Sequence, residues 1–82
     1  MAELSVYSRQ GCHLCEELIE ILLPIVRGRC DVRVVDIDAD SELQERYNLR
    51  VPVLAAGDIE ICEGHLDTAR LYAFLRSLEP VD

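Results

Sequence analysis

The sequence predicts an α/β fold: a four-stranded mixed sheet in a three-layer α/β/α arrangement, with elements in the order β-α-β-α-β-β-α, forming one domain over residues 1–82. Three observations predict it. Short β-branched runs alternate with segments whose apolar residues recur at helical spacing. Two strand–helix units come first, followed by two strands joined at Gly57-Asp58, a two-residue hairpin signal, and a last helical segment. Half of the 82 residues are apolar, enough for a core in one small domain and too many for a disordered chain.

The first strand is the run Leu4, Val6, Tyr7, whose apolar character suits a central strand. Gly11 frees the backbone for a turn into a helix carrying Leu14, Leu18, Ile21, Leu22 and Ile25, a wide core-facing stripe. Glu16 and Glu17 fall in its first turn, where acids suit the helix dipole, and are expected to point outward. Pro24 is expected to kink or end this helix, with Gly28 as the stop. Val32 to Ile37 reads as a second strand, parallel to the first across the helical crossover. Ser41-x-x-Gln44 has the form of a capping box and opens a short helix with Leu43 and Tyr47 on one side. Val51 to Ala55 and Ile59 to Cys62 are the hairpin strands. The last helix is expected from about His65 to Leu78, with Leu71, Phe74, Leu75 and Leu78 on its inner face and Pro80 after its end.

Charge excludes several function classes. The formal net charge is −8, and no Lys/Arg cluster exists to neutralise phosphates, so neither nucleic acid nor an anionic membrane surface is an expected partner. Such a surface repels acidic partners and attracts basic ones. No apolar run is long enough to span a bilayer, and Met1-Ala2-Glu3 shows no basic segment followed by an apolar stretch. A cytoplasmic protein, monomeric, is therefore expected. In that compartment structural disulfides are rare, and a Cys-x-x-Cys pair is more often redox-active or metal-binding.

That pair is Cys12-His13-Leu14-Cys15, placed where a strand turns into a helix. Unpaired N–H groups and the dipole at a helix N-terminus favour an anion, and the thiolate is the reactive form of cysteine. Disulfide exchange needs an accessible attacking thiolate and a second thiol close behind it. Cys12, at the turn, is the expected nucleophile, and Cys15, one turn into the helix, the resolving thiol. Arg9 is placed to lower the Cys12 pKa from about 8.5 toward roughly 7, as cationic neighbours do. The rival reading is a zinc knuckle, which ordinarily requires four ligands. Here Cys30 and Cys62 stand alone, read as buried and inert, and no metal is expected. Asp36-x-Asp38-x-Asp40 resembles the start of a calcium loop, but Ser41 and Tyr47 occupy the positions that need Gly and Glu. These acids are expected to face solvent or cap the second helix.

Three segments carry a resemblance to the glutaredoxins of the thioredoxin-fold superfamily. Tyr7-Ser8-Arg9-x-x-Cys12-x-x-Cys15 resembles the family's Tyr-Ser-Lys before Cys-Pro-Tyr-Cys. Arg50-Val51-Pro52-Val53 resembles its Thr-Val-Pro, and Gly64-x-x-Asp67 its glutathione-binding turn. The resemblance implies a thioredoxin-like fold and a cis Pro52 against the cysteines, with the Val51 backbone pairing a peptide-like substrate. It also implies a glutathione site built from Gly64, His65 and Asp67, where helix N–H groups bind carboxylate and Asp67 pairs the ammonium. Asp67 serves equally as an ordinary helix cap, and His65 as a surface residue. The chain departs from the family at His13 and Leu14, at Glu63 where a glycine is usual, and at Leu66 where an acid is common. His13, when charged, stabilises a thiolate; otherwise it is an exposed polar residue.

The expected function is a glutaredoxin-like thiol-disulfide oxidoreductase acting on a disulfide-containing protein or small thiol, with no tightly bound cofactor and glutathione as a co-substrate. The alternative is a non-catalytic module on the same fold that binds a metal or an iron–sulfur cluster, or a redox-inert adaptor.

Overall fold

A computed structural model describes residues 2–78. Strand β1 (Ala2–Ser8) leads to helix α1 (His13–Val26), and β2 (Cys30–Asp36) to a short 3-10 turn (Ile37–Ala39) and helix α2 (Ser41–Tyr47). Strands β3 (Val53–Ala56) and β4 (Ile59–Glu63) form the hairpin, and α3 (Thr68–Ser77) closes the chain's described part. The sheet order is β2-β1-β3-β4. β1 is central, parallel to β2 and antiparallel to β3, and β3 is antiparallel to β4. The mixed sheet and the element order are those the sequence predicts.

The pleat of β1 divides the core. Leu4 and Val6 join Leu54, Ile61 and Cys62 under α1 and α3, where Leu18, Leu22, Val26, Leu71 and Leu75 pack. On the other face Tyr7 and Val53 meet Ile37 and Tyr47, beneath α2. Successive strand residues point to opposite faces, so Val6 opposite Leu54 feeds one core and Tyr7 opposite Val53 the other.

Several boundaries differ from the sequence reading, each for a local reason. Pro24 does not end α1, which runs on to Val26, where the Arg27 N–H donates to the Leu23 carbonyl at 3.1 Å. A proline this near the end removes only the bond to Glu20, and both residues face solvent. Gly28 then turns the chain at φ +80°, as the predicted stop. The buried stripe of α1 is Cys15, Leu18, Leu22 and Val26; Leu14 and Ile21 are exposed. β2 starts at Cys30 because Cys30 pairs with Ala2, and Ile37 leaves the strand to bury itself in the 3-10 turn. Asp40, not Ser41, caps α2: its Oδ1 accepts the Glu42 and Leu43 N–H groups at 2.9 and 3.4 Å. A carboxylate is as good a cap as a hydroxyl and also suits the positive end of the helix. β3 begins two residues after Val51, and α3 begins at Thr68, not His65. Leu78 is its exposed C-cap, and Pro80 lies outside the described residues.

Candidate active site

The β1–α1 turn is built on Gly11, whose φ of +78° is open to glycine without strain; a Cβ there would meet no atom, so conformation alone demands glycine. Cys12 follows as the N-cap of α1. Its sulfur accepts the Cys15 N–H at 3.1 Å and is disulfide-bonded to Cys15, with Cα atoms 5.2 Å apart. Cys12 is half-buried, whereas Cys15 is only 2% exposed and sits on the core stripe of α1. One sulfur is thus reachable from solvent and its partner lies behind it. Glu16 and Glu17 are exposed. His13 projects into solvent, 3.7 Å from the Glu16 carboxylate.

Strand pairing brings the other predicted residues to the same end of the sheet. Tyr7, near the end of β1, pairs with Val53 at the start of β3, so Val51-Pro52 arrives beside the cysteine turn. The Val51-Pro52 bond is cis and Pro52 is buried, with Val51 half-buried. Val53 also pairs with Glu63 at the end of β4, and the Gly64 N–H donates to the Pro52 carbonyl at 2.8 Å. His65 and Asp67 follow, both exposed. Asp67 is the N-cap of α3: its Oδ1 accepts the Arg70 N–H at 3.0 Å.

Arg9, expected to support the Cys12 thiolate, makes its hydrogen bonds to Asp38 and Asn48. Its guanidinium grips Asp38, through Nε to Oδ2 at 3.3 Å and Nη2 to Oδ1 at 2.7 Å. Nη1 donates to the backbone and side-chain oxygens of Asn48 at 3.1 and 3.0 Å. The hydrogen bond from Arg9, and then one from Gln44, hold the Asp38 carboxyl below its usual range. Asp36 accepts the Asp38 N–H at 2.9 Å, so the three spaced acids serve as turn cap, arginine partner and helix cap. An open hollow of about 490 Å³ lies beside the Arg9–Asn48 contact, lined by Arg9, Ser41, Gln44, Glu45 and Asn48; neither cysteine lines it.

A second arginine brackets the Val51-Pro52 loop from the other side. Arg50 pairs with Glu60 and, at 3.2 Å, with Glu63, and its guanidinium lies 5.5 Å from the centre of the Tyr47 ring. Tyr47 stacks on Tyr7 with ring centres 4.3 Å apart. Hydrogen bonds from Arg50 to the carboxylates of Glu60 and then Glu63 raise the Arg50 pKa. Glu63, which stands where the family usually has a glycine, is thus partly neutralised. The arginine partners of Asp38, Asn48 and Glu60 lie 10 to 39 residues away, so these pairings are not legible in the sequence. The spaced aspartates were the one local signal.

Cys30 and Cys62 are free and buried, and burial pushes both thiols up in pKa. Among the described residues, no group of three or more His, Cys, Asp and Glu side chains is arranged to hold a metal ion. No described helix is long and apolar enough to cross a membrane.

Residues 3–76 match the glutaredoxin-like domain family. Among solved structures, the chain is similar to protein Ne2328 from Nitrosomonas europaea, with 41% identity over 89% of each chain and a TM-score of 0.81. It is also similar to protein XcR50 from X. campestris, with 36% identity over 93% of this chain and 99% of that one, and a TM-score of 0.72. A mutant thioredoxin from Halobacterium salinarum, 24% identical over 99% of this chain and 78% of its own, shares the fold at a TM-score of 0.68. No curated protein is detectably similar in sequence. A close cysteine pair on a helix N-terminus, a cis proline at the same sheet end and a family match across nearly the whole chain agree: the chain belongs to the glutaredoxin-like domain family and has the thioredoxin fold.

Proposed function

We propose that the protein is a thiol-disulfide oxidoreductase that reduces protein disulfides or glutathione mixed disulfides through Cys12 and Cys15. The observation that carries this reading is the split in accessibility: Cys12 partly exposed at the helix N-terminus, Cys15 buried one turn behind and within bonding reach. In the reduced protein the Cys12 thiolate attacks one sulfur of the substrate disulfide. That bond breaks, the leaving sulfur departs as a thiolate and takes a proton from solvent, and a mixed disulfide forms on Cys12. Cys15, having lost its proton, attacks the Cys12 sulfur and expels the second substrate thiol. Two electrons have passed to the substrate, and the Cys12–Cys15 disulfide remains for an external thiol reductant.

The N-cap position favours the thiolate of Cys12, because the first-turn N–H groups and the dipole lower its pKa. A leaving thiolate stabilised in this way makes the disulfide easier to reduce. The Val51 backbone beside cis-Pro52 is the proposed rest for the substrate chain, and Gly64, His65 and Asp67 the proposed rim for the glutathione γ-glutamyl end. Buried, free Cys30 and Cys62 suit the reducing cytoplasm, where we place the reaction.

Substitution of each cysteine tests the assignment. Cys12→Ser is expected to reduce disulfide exchange to the uncatalysed background. Cys15→Ser is expected to retain attack but stall, so that mass spectrometry after oxidised glutathione finds one glutathione on Cys12. Full exchange activity in the Cys12→Ser protein, or no adduct in the Cys15→Ser protein, rejects the reading.

A further inference from the structure

A positive charge beside the Cys12 sulfur is the simplest role for Arg9, and its surroundings argue against it. An arginine has five N–H donors. Arg9 makes four hydrogen bonds, two to the Asp38 carboxylate and two to Asn48. Gln44 Nε2 donates to the same Asp38 Oδ1 at 2.9 Å, holding the carboxylate from a second side. The Asp38 charge lies in contact with the guanidinium, and Asp36 adds its own nearby. Little net positive field remains for the sulfur.

What the guanidinium joins is more telling. Arg9 lies in the cysteine turn, three residues before Cys12. Asp38 lies in the 3-10 turn, and Asn48 is the C-cap of α2, three residues before Val51. Pairing of β1 with β3 stops at Tyr7–Val53, so beyond that point the sheet ladder no longer ties the cysteine turn to the Val51-Pro52 loop. Arg9 spans that gap. An isolated surface ion pair contributes little, but a bidentate arginine within a network is the exception. A lysine has the charge without the planar fork.

We propose that Arg9 is a positioning residue: with Asp38 and Asn48 it sets the Val51-Pro52 loop against the cysteine turn, and disulfide exchange depends on its fork geometry, not its charge. This rests on the redox reading of Cys12, and the test separates the two. In Arg9→Lys and Asp38→Ala, kcat/KM toward a peptide disulfide falls at least about tenfold, the order expected when reacting groups are slightly misplaced. In Arg9→Lys the pH midpoint of Cys12 alkylation by iodoacetamide stays at the wild-type value. In both variants the amides of Leu49, Arg50 and Val51 exchange hydrogen faster, while the Val6 amide, in the central strand, does not change and reports an intact sheet. A charge role gives the opposite sign for Asp38→Ala, because removing that carboxylate frees the arginine and speeds exchange. Wild-type kcat/KM in Arg9→Lys, faster chemistry in Asp38→Ala, or unchanged amide exchange at Leu49 to Val51 each overturns the proposal. A wild-type protein that reduces no disulfide defeats the redox reading instead, and amide exchange still reports whether the clamp holds the loop.

Discussion

Asp67 is the N-cap of α3, and its carboxylate oxygen already accepts the Arg70 N–H. That is reason enough for an acid at this position, so a role toward substrate has to be separated from capping. Asparagine caps about as well as aspartate, whereas alanine does not cap. Asp67→Ala is therefore expected to lower stability in urea unfolding by about 1 kcal/mol, and Asp67→Asn by no more than a few tenths. The asparagine variant keeps the helix start and removes only the charge. If Asp67 pairs the ammonium of a glutathione mixed disulfide, KM for that substrate rises in Asp67→Asn with the melting curve unchanged; an unchanged KM confines Asp67 to capping. At this scale the sequence reveals chemistry where spacing carries it. Cys12 and Cys15 are legible because one helical turn both separates and aligns them. The Arg9–Asp38 pair is not, because its members are 29 residues apart and meet only after β2 is laid beside β1.

Among the elements, α1 has two duties, to present Cys12 at its N-terminus and to cover β1. Leu22 is fully buried in the cluster that holds Leu4, Val6 and Leu54. Leu22→Ala removes that packing and leaves a cavity that a sheet of paired strands relaxes into only partly, so a loss of about 2–5 kcal/mol is expected in chemical denaturation. Against the roughly 4–12 kcal/mol typical of a chain this size, that is a large share. Cys15 lies on the same buried stripe, with Leu18 between it and Leu22. A change below about 1 kcal/mol sets Leu22 outside the core that holds α1. Element type and order were readable from periodicity, and element ends were not. Ser41-x-x-Gln44 matches a capping box in letters, yet Asp40 takes the cap because the chain is already extended there, at φ −146° and ψ 120°. Leu14 and Ile21 fit an apolar stripe by spacing, but the stripe rotates toward Cys15 and Val26 because the sheet approaches from that side.

At the scale of the whole molecule, the net charge of −8 acts on any substrate approaching the cysteine end of the sheet. The radius of gyration is 12.6 Å. At 0.01 M ionic strength the Debye length is about 30 Å, so an approaching molecule feels the full charge; at 0.15 M it is about 8 Å, and only nearby groups count. Those nearby groups are also acidic on balance. Glu16, Glu17 and Asp67 lie exposed at this end, Arg50 is outnumbered by Glu60 and Glu63, and Arg9 is matched by Asp38. Oxidised glutathione has two carboxylates and one ammonium in each half and is anionic, so its kcat/KM is expected to rise several-fold as salt is added. A disulfide peptide with lysine and arginine beside its cysteine is expected to show the reverse, with its highest kcat/KM at low salt, because opposite charge steers encounter and salt screens it. Stopped-flow reduction of the two substrates across this range of ionic strength, at fixed pH, measures both slopes. Slopes of the same sign would remove net charge as the source of preference and leave contacts at Val51, Pro52 and the Gly64 turn to decide between them. Slopes of opposite sign identify a site whose encounter step favours basic polypeptide disulfides over glutathione.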